Sequence, residues 1–154
     1  MSIVNINYRG RITCNIGDIQ FPEMRAPPKQ LVMECGNGEK LLVFPSGKCR
    51  LMGCKSSVQC VSHYPIPIVL TNILSVTVVM NIQRRIDLRQ LATRLGNRKC
   101  IYEPELFPAL RLTKFNPLCV NVFASGKIVI LGLKKVKHEK ICQSIRNVIC
   151  HYTI

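Results

Sequence analysis

Acidic side chains are scarce in this sequence. Asp and Glu number 8 against 22 Lys and Arg, a formal net charge of +14, which points to a polyanionic partner, nucleic acid or an anionic membrane. Clean apolar runs are also missing. Residues 65–80 are uncharged, but Pro65 and Pro67 open the stretch and Thr71, Asn72, Ser75 and Thr77 interrupt it. A membrane span wants ~20 consecutive apolar residues, so this stretch reads as entry into a buried strand and no membrane partner is expected. The nine cysteines, at 14, 35, 49, 54, 60, 100, 119, 142 and 150, contain no C-x-x-C pair, a spacing that argues against a zinc module. Met1 to Arg11 lacks a basic start followed by an apolar core. The cysteines are therefore expected to be reduced thiols serving as small apolar residues in an intracellular protein. Catalytic constellations are absent too. His63, His138 and His151 lie far apart with no acidic or cysteine partner at a motif spacing, and no paired-carboxylate site or G-x-x-x-x-G-K-[ST] loop occurs. The expectation is a protein that is not an enzyme and needs no metal or cofactor.

What the chain does contain is an internal copy. Val122-Phe123-Ala124-Ser125-Gly126-Lys127-Ile128-Val129-Ile130-Leu131-Gly132-Leu133-Lys134 repeats Val43-Phe44-Pro45-Ser46-Gly47-Lys48-Cys49-Arg50-Leu51-Met52-Gly53-Cys54-Lys55, with seven of thirteen positions identical at an offset of 79. A repeat of this kind fixes architecture before any local assignment. Each copy reads as a hairpin: alternating residues enter a Ser-Gly turn, where glycine accepts the positive φ of a tight reversal, and a second alternating strand leaves it. At 154 residues the chain is expected to form one domain of two joined halves, about 1–70 and 71–154.

The elements expected in the first half are a strand over Met1 to Ile12, at most a short helix around Asp18 to Met24, a strand over Gln30 to Cys35, a Gly36-Asn37-Gly38 turn, the repeated hairpin, and two helical turns between Ser56 and Tyr64. The second half begins with a β-branched strand over Leu74 to Ile82. Asp87 can cap a helix with Leu88, Leu91, Ala92 and Leu95 at i, i+3, i+4 and i+7, ended by Gly96. Strands follow over Leu110 to Lys114, Leu118 to Ala124 and Ile128 to Leu133. A last helix runs from about Lys137 to Tyr152, with Ile141, Ile145, Val148, Ile149 and Tyr152 on one face. Two such halves can join edge to edge in one antiparallel sheet with helices on a single face, leaving the other face bare for docking.

Tyr102-Glu103-Pro104-Glu105-Leu106-Phe107-Pro108, followed by Phe123-x-Ser125-Gly126-Lys127-Ile128-Val129-x-x-Gly132, resembles the second repeat of the TATA-box-binding protein family. Phe44-x-Ser46-Gly47-Lys48 resembles the matching hairpin of its first repeat. The resemblance covers nearly the whole chain and is most specific in the second half. It implies an α+β saddle: pseudo-twofold half-domains forming one curved antiparallel sheet, helices on the convex face, and a concave face that lies in the DNA minor groove and bends the duplex. By position, Phe107 and Phe123 match the intercalating phenylalanines of the second repeat, and Phe44 matches one of the first, whose companion falls near Pro28. Wedges of this kind unstack base steps at a cost of a few kcal/mol each, offset by the added contact of bent DNA. Ser46, Ser125, Lys48 and Lys127 match phosphate-contacting turn residues. Leu42, Val129, Met52 and Leu131 alternate onto the wedge face as an apolar floor.

The departures from the family are as specific. Its central asparagine pair falls on Ser2 and Ser75, and its paired threonines fall on Met52 and Leu131, so hydrogen bonds at the groove centre are weakened. Asn121 and Arg50 stand where the family has apolar residues; Arg50 is placed to enter a narrow A·T-rich groove or to lie solvated at the sheet edge. Glu103, Glu105 and Leu106 keep the loop that in the family docks transcription factor IIB, whereas Ala26-Pro27-Pro28 reduces its first-half counterpart and the helix after Lys55 is shortened, so transcription factor IIA is not expected to bind. The lopsided, compact form is expected of a divergent, viral member. The resemblance implies partners: A·T-rich promoter DNA, a factor IIB-like protein and the RNA polymerase machinery, in a nucleus or a cytoplasmic viral factory. Self-pairing of two copies without DNA stays open, as does a second reading, a protein-interaction scaffold of this fold that has lost specific DNA binding.

Overall fold

The computed structural model describes residues 2–21, 30–35, 38–56, 64, 66–136 and 138–152. Its strands and helices are β1 (Ser2–Ile12), β2 (Leu31–Cys35), β3 (Glu39–Val43), β4 (Lys48–Cys54), β5 (Ile68–Asn81), α1 (Leu88–Leu95), β6 (Cys100–Ile101), β7 (Ala109–Leu112), β8 (Cys119–Phe123), β9 (Lys127–Leu133) and α2 (Glu139–Ile149). They group into two compact units. One is Val4–Ser75; the other is Val76–Ile154 together with the first three residues.

In the Val4–Ser75 unit the strand order is β2-β3-β4-β1, followed by the first part of β5. Antiparallel pairing sets Val32 opposite Leu42 and Leu42 opposite Arg50, and Arg50 opposite Arg9. Alternate residues take opposite faces. Ile6, Leu41, Val43, Cys49 and Leu51 are fully buried on one side, while Phe44, Lys48, Arg50 and Met52 are at least partly exposed. Tyr64 is buried with its hydroxyl donating to Glu39 Oε2 at 2.6 Å. Of the short helix expected around Asp18 to Met24, residues 19–21 are not helical and residues 22–24 lie outside the described residues; a single 3-10 turn, Ile16–Asp18, comes before it, in which the Asn15 side chain accepts from Gly17 N–H. Most of the expected Gly36-Asn37-Gly38 turn, the helical turns between Ser56 and Tyr64, His63, and Ala26-Pro27-Pro28 lie outside the described residues.

The Val76–Ile154 unit carries the strand order β5-β9-β8-β7-β6. Its buried side holds Val76, Val78, Leu110, Leu112, Val120, Val122, Ile128 and Ile130, with Leu88 and Leu91 of α1 and Cys142, Ile145 and Ile149 of α2. The Asp87 carboxylate accepts from Gln90 N–H at 2.9 Å to start α1, and Gly96 ends it at φ 72°. Three boundaries differ from the sequence reading. β5 begins at Ile68 rather than Leu74, because the residues after Pro67 pair with β1: Thr13 N–H donates to the Pro67 carbonyl and the Thr71 hydroxyl to that of Arg9. β7 stops at Leu112, where Thr113 turns its backbone and hydroxyl to the carbonyls of Lys99 and Arg98 and a 3-10 turn follows. α2 ends its α-helical pairing at Ile149 and tightens to a 3-10 turn through Tyr152. β6 has two residues, too few to leave a sequence period.

The repeat is as plain in the backbone as in the sequence. Gly47 and Gly126 turn the two hairpins at φ 76° and 87°, each donating its N–H to the carbonyl of Phe44 or Phe123. Gly53 and Gly132 sit at φ 88° and 90°, and each is accompanied by a register shift, between Ile6 and Tyr8 in one unit and between Val76 and Val78 in the other. Both hairpins therefore carry the same turn and the same bulge.

Candidate nucleic-acid interface

In the Val76–Ile154 unit the face away from the helices is read from the register. Phe123 ends β8 opposite Ala109 of β7. Behind it lies a row across four strands: Arg111 opposite Asn121, Asn121 opposite Val129, and Val129 opposite Val79. Cys119 and Leu131 form the next pair. Phe107 is brought to Phe123 by the turn before β7, in which the Glu103 carbonyl accepts from the N–H groups of Leu106 and Phe107. The two rings stand edge to face, centroids 6.2 Å apart and planes at 67°, an arrangement favoured by aromatic quadrupoles and worth about 0.5–1.5 kcal/mol beyond burial. Phe107 keeps 43% of its surface exposed. The turn tip beside it carries Glu103, Glu105 and Leu106, all exposed, Leu106 at 81%.

The adjacent hairpin turn is fixed by packing on its neighbour. A Cβ on Gly126 would lie 2.2 Å from the Arg84 carbonyl oxygen, and Gly126 in turn accepts from Ile82 N–H while Ala124 accepts from Ile86 N–H. Ser125 Oγ accepts from Lys127 N–H at 3.5 Å, and both side chains face solvent.

The Val4–Ser75 unit presents the counterpart. Phe44 is half-buried at the end of β3, with the Arg50 guanidinium 5.9 Å from its ring centroid. Ser46, Lys48 and Arg50 are exposed, as is Met52, and Leu42 is half-buried between Val32 and Arg50. Ser75 accepts a hydrogen bond from Asn7 Nδ2 at 3.1 Å, while Asn7 Oδ1 is buried with no partner among the described residues. Asn5 accepts from Gly53 N–H at the bulge.

The structure thus brings Phe107, Phe123, Val129 and Leu131 to one face of one unit, with Ser125 and Lys127 at its turn, and Phe44, Leu42, Arg50 and Met52 to one face of the other, with Ser46 and Lys48 at its turn. Sequence reasoning passed over Arg9, Arg11 and Arg111. Arg111 projects between the buried Leu110 and Leu112, so strand alternation was the signal for it; the same signal in β1 places Arg9 with Asn5 and Asn7. Among the described residues no three His, Cys, Asp or Glu side chains cluster as metal ligands. His138 is buried with its ring Nδ1 against the Val136 carbonyl, a structural placement. Cys49, Cys54, Cys100 and Cys142 are buried thiols, and burial pushes the Cys49 thiol up to about 11.

Comparison with known proteins bears on the family and the fold. The family described as transcription factor TFIID (or TATA-binding protein, TBP) matches residues 70–152, more than half of the chain. TATA-box-binding protein 1 of Triticum aestivum is 36% identical over 74 residues, which are 47% of this chain and span 30% of that protein. Methanococcus jannaschii TBP superposes with a TM-score of 0.76 at 24% identity, covering 97% of this chain and 98% of that one; the TBP-like α+β fold, an antiparallel sheet with helices, is the fold of this chain. The chain is a member of the TATA-binding protein family.

Proposed function

We propose that this protein is a transcription initiation factor that binds A·T-rich promoter DNA through the minor groove and bends it. The observation that carries the reading is the Phe107–Phe123 pair, edge to face at 6.2 Å on the helix-free side of its unit and partly exposed, where a core role would have buried it. Inserted between base steps, the pair unstacks them; Phe44 does the same at its own hairpin, and Val129, Leu131, Leu42 and Met52 cover the groove floor. Ser46, Ser125, Lys48 and Lys127 meet phosphates at the turns, releasing counterions. The exposed Glu103, Glu105 and Leu106 form an acidic and apolar tip suited to a factor IIB-like protein, which brings the RNA polymerase machinery, in the nucleus. In a chain of net charge +14 two acids at such a tip repel DNA and favour a protein partner.

Fluorescence transfer across an end-labelled A·T-rich duplex tests this. The wild-type chain shortens the end-to-end distance; Phe107→Ala with Phe123→Ala abolishes the shortening. Unchanged bend and affinity in that double variant overturn the wedge assignment. Two observations favour the scaffold reading: Met52 and Leu131 put no hydrogen-bond donor on the floor, and Ser75 is engaged by Asn7. Salt-independent, negligible DNA binding alongside tight capture of a factor IIB-like protein would decide for it.

A further inference from the structure

The β1–β4 ladder of the Val4–Ser75 unit sets Arg9 directly opposite Arg50 and Arg11 directly opposite Lys48. All four side chains are exposed. With Phe44 and Ser46 they line an open groove of about 780 Å³, and no Asp or Glu is among its described lining residues. Like charges directly opposite one another on a sheet are destabilising, so two such cross-strand pairs raise the free energy of the isolated chain unless an anion sits between them. The Arg50 guanidinium, held 5.9 Å from the Phe44 ring centroid, keeps its charge directed by that ring. Thr71, also on the groove wall, pins the backbone of Arg9 through its hydroxyl.

The internal repeat supplies a control within the same molecule. The corresponding ladder of the Val76–Ile154 unit, β5 with β9, sets Val79 opposite Val129 and Asn81 opposite Lys127. Of the four cations, Lys48 alone has a cationic counterpart, Lys127; Arg9, Arg11 and Arg50 are matched by Val79, Asn81 and Val129. Arg111, on β7, replaces none of them. The two units thus offer the same backbone surface with different chemistry, four cations in one and Lys127 alone at the corresponding positions of the other.

We propose that the Arg9, Arg11, Lys48 and Arg50 groove binds the phosphodiester backbone of duplex DNA and thereby sets the polarity with which the chain lies on its site. The inference rests on the minor-groove reading above. The cationic unit takes the end where the minor groove is narrow and most negative, an A-tract. The unit that bears the Phe107–Phe123 pair takes the end with flexible pyrimidine–purine steps, which unstack at least cost.

The test uses the full chain and a duplex with an A-tract at one end and TA and TG steps at the other. The triple variant Arg9→Val, Arg11→Asn, Arg50→Val copies the other unit. Affinity is measured against salt, and orientation is read by fluorescence transfer from each DNA end to a dye on the exposed Cys150. Each phosphate neutralised contributes ~0.9 to the slope of log affinity against log salt, so the variant's slope falls by about 3 and its two orientations become equally populated, where the wild type shows one. The reciprocal variant Val79→Arg, Val129→Arg raises the slope by about 2 and also equalises the orientations, keeping the test decisive if the triple variant does not fold. An unchanged slope in a triple variant that still binds and bends DNA overturns the phosphate site alone. A lowered slope with unchanged orientation overturns the polarity. A wild-type chain that neither binds nor bends the duplex removes the minor-groove reading and this inference with it.

Discussion

Gly126 shows how one residue type decides local structure. At φ 87° an L side chain is strained, and its Cβ would meet the Arg84 carbonyl at 2.2 Å, a backbone atom with little room to yield. Gly38, at φ 76° with open space around it, carries the conformational cost alone, ~1 kcal/mol. Gly126→Ala is therefore expected to cost about 3 kcal/mol or more and Gly38→Ala about 1, measured by urea unfolding of the two variants. Cys49 gives a pH prediction. Below pH 9 both folded and unfolded thiols hold their proton; as pH rises past the ordinary value of 9.0 the unfolded thiol ionises while the buried one stays protonated to about 11. Stability falls over that window, and Cys49→Ala should fall less steeply there than wild type. Phe107, with 43% of its surface in solvent, predicts a separation of roles: Phe107→Ala should leave the melting temperature within a few degrees of wild type while weakening DNA bending.

At the scale of elements, what was readable in the sequence is what local chemistry controls. α1 begins and ends where Asp87 and Gly96 placed it, because a carboxylate on the Gln90 N–H and a glycine at φ 72° are decisions made within one turn. Asp87→Ala should cost ~1 kcal/mol, seen as a lowered denaturation midpoint with an unchanged slope. The repeated hairpins were readable for the same reason, through Ser-Gly turns and alternation. The starts of β5 and the ends of β7 and α2 were not. Thr71 and Thr113 bond to carbonyls 62 and 15 residues away, and no window of sequence shows which distant carbonyl a threonine will find. Arg111 was legible as an outward residue of β7, but its neighbours Asn121 and Val129 follow only from register.

For the molecule as a whole, the proposed function predicts that selection from a random DNA pool returns an A·T-rich consensus, since A·T pairs present only acceptors in the minor groove and G·C pairs add a donor there. A pool returned without enrichment would leave the floor of Met52, Leu131, Leu42 and Val129 as a surface for shape or for protein. The amino-acid sequence by itself determined the duplication, the cationic balance, the turn glycines and the aromatic residues beside them, because composition and short-range stereochemistry need no partner from elsewhere in the chain. Tertiary structure decided which of those residues share a surface. Pairing register between strands far apart in sequence set Arg9 against Arg50 and Arg11 against Lys48, and brought Phe107 within 6.2 Å of Phe123. Since side chains alternate every residue along a strand, a slip of one position would have sent Arg9, Arg11, Lys48, Arg50 or Phe123 to the opposite face.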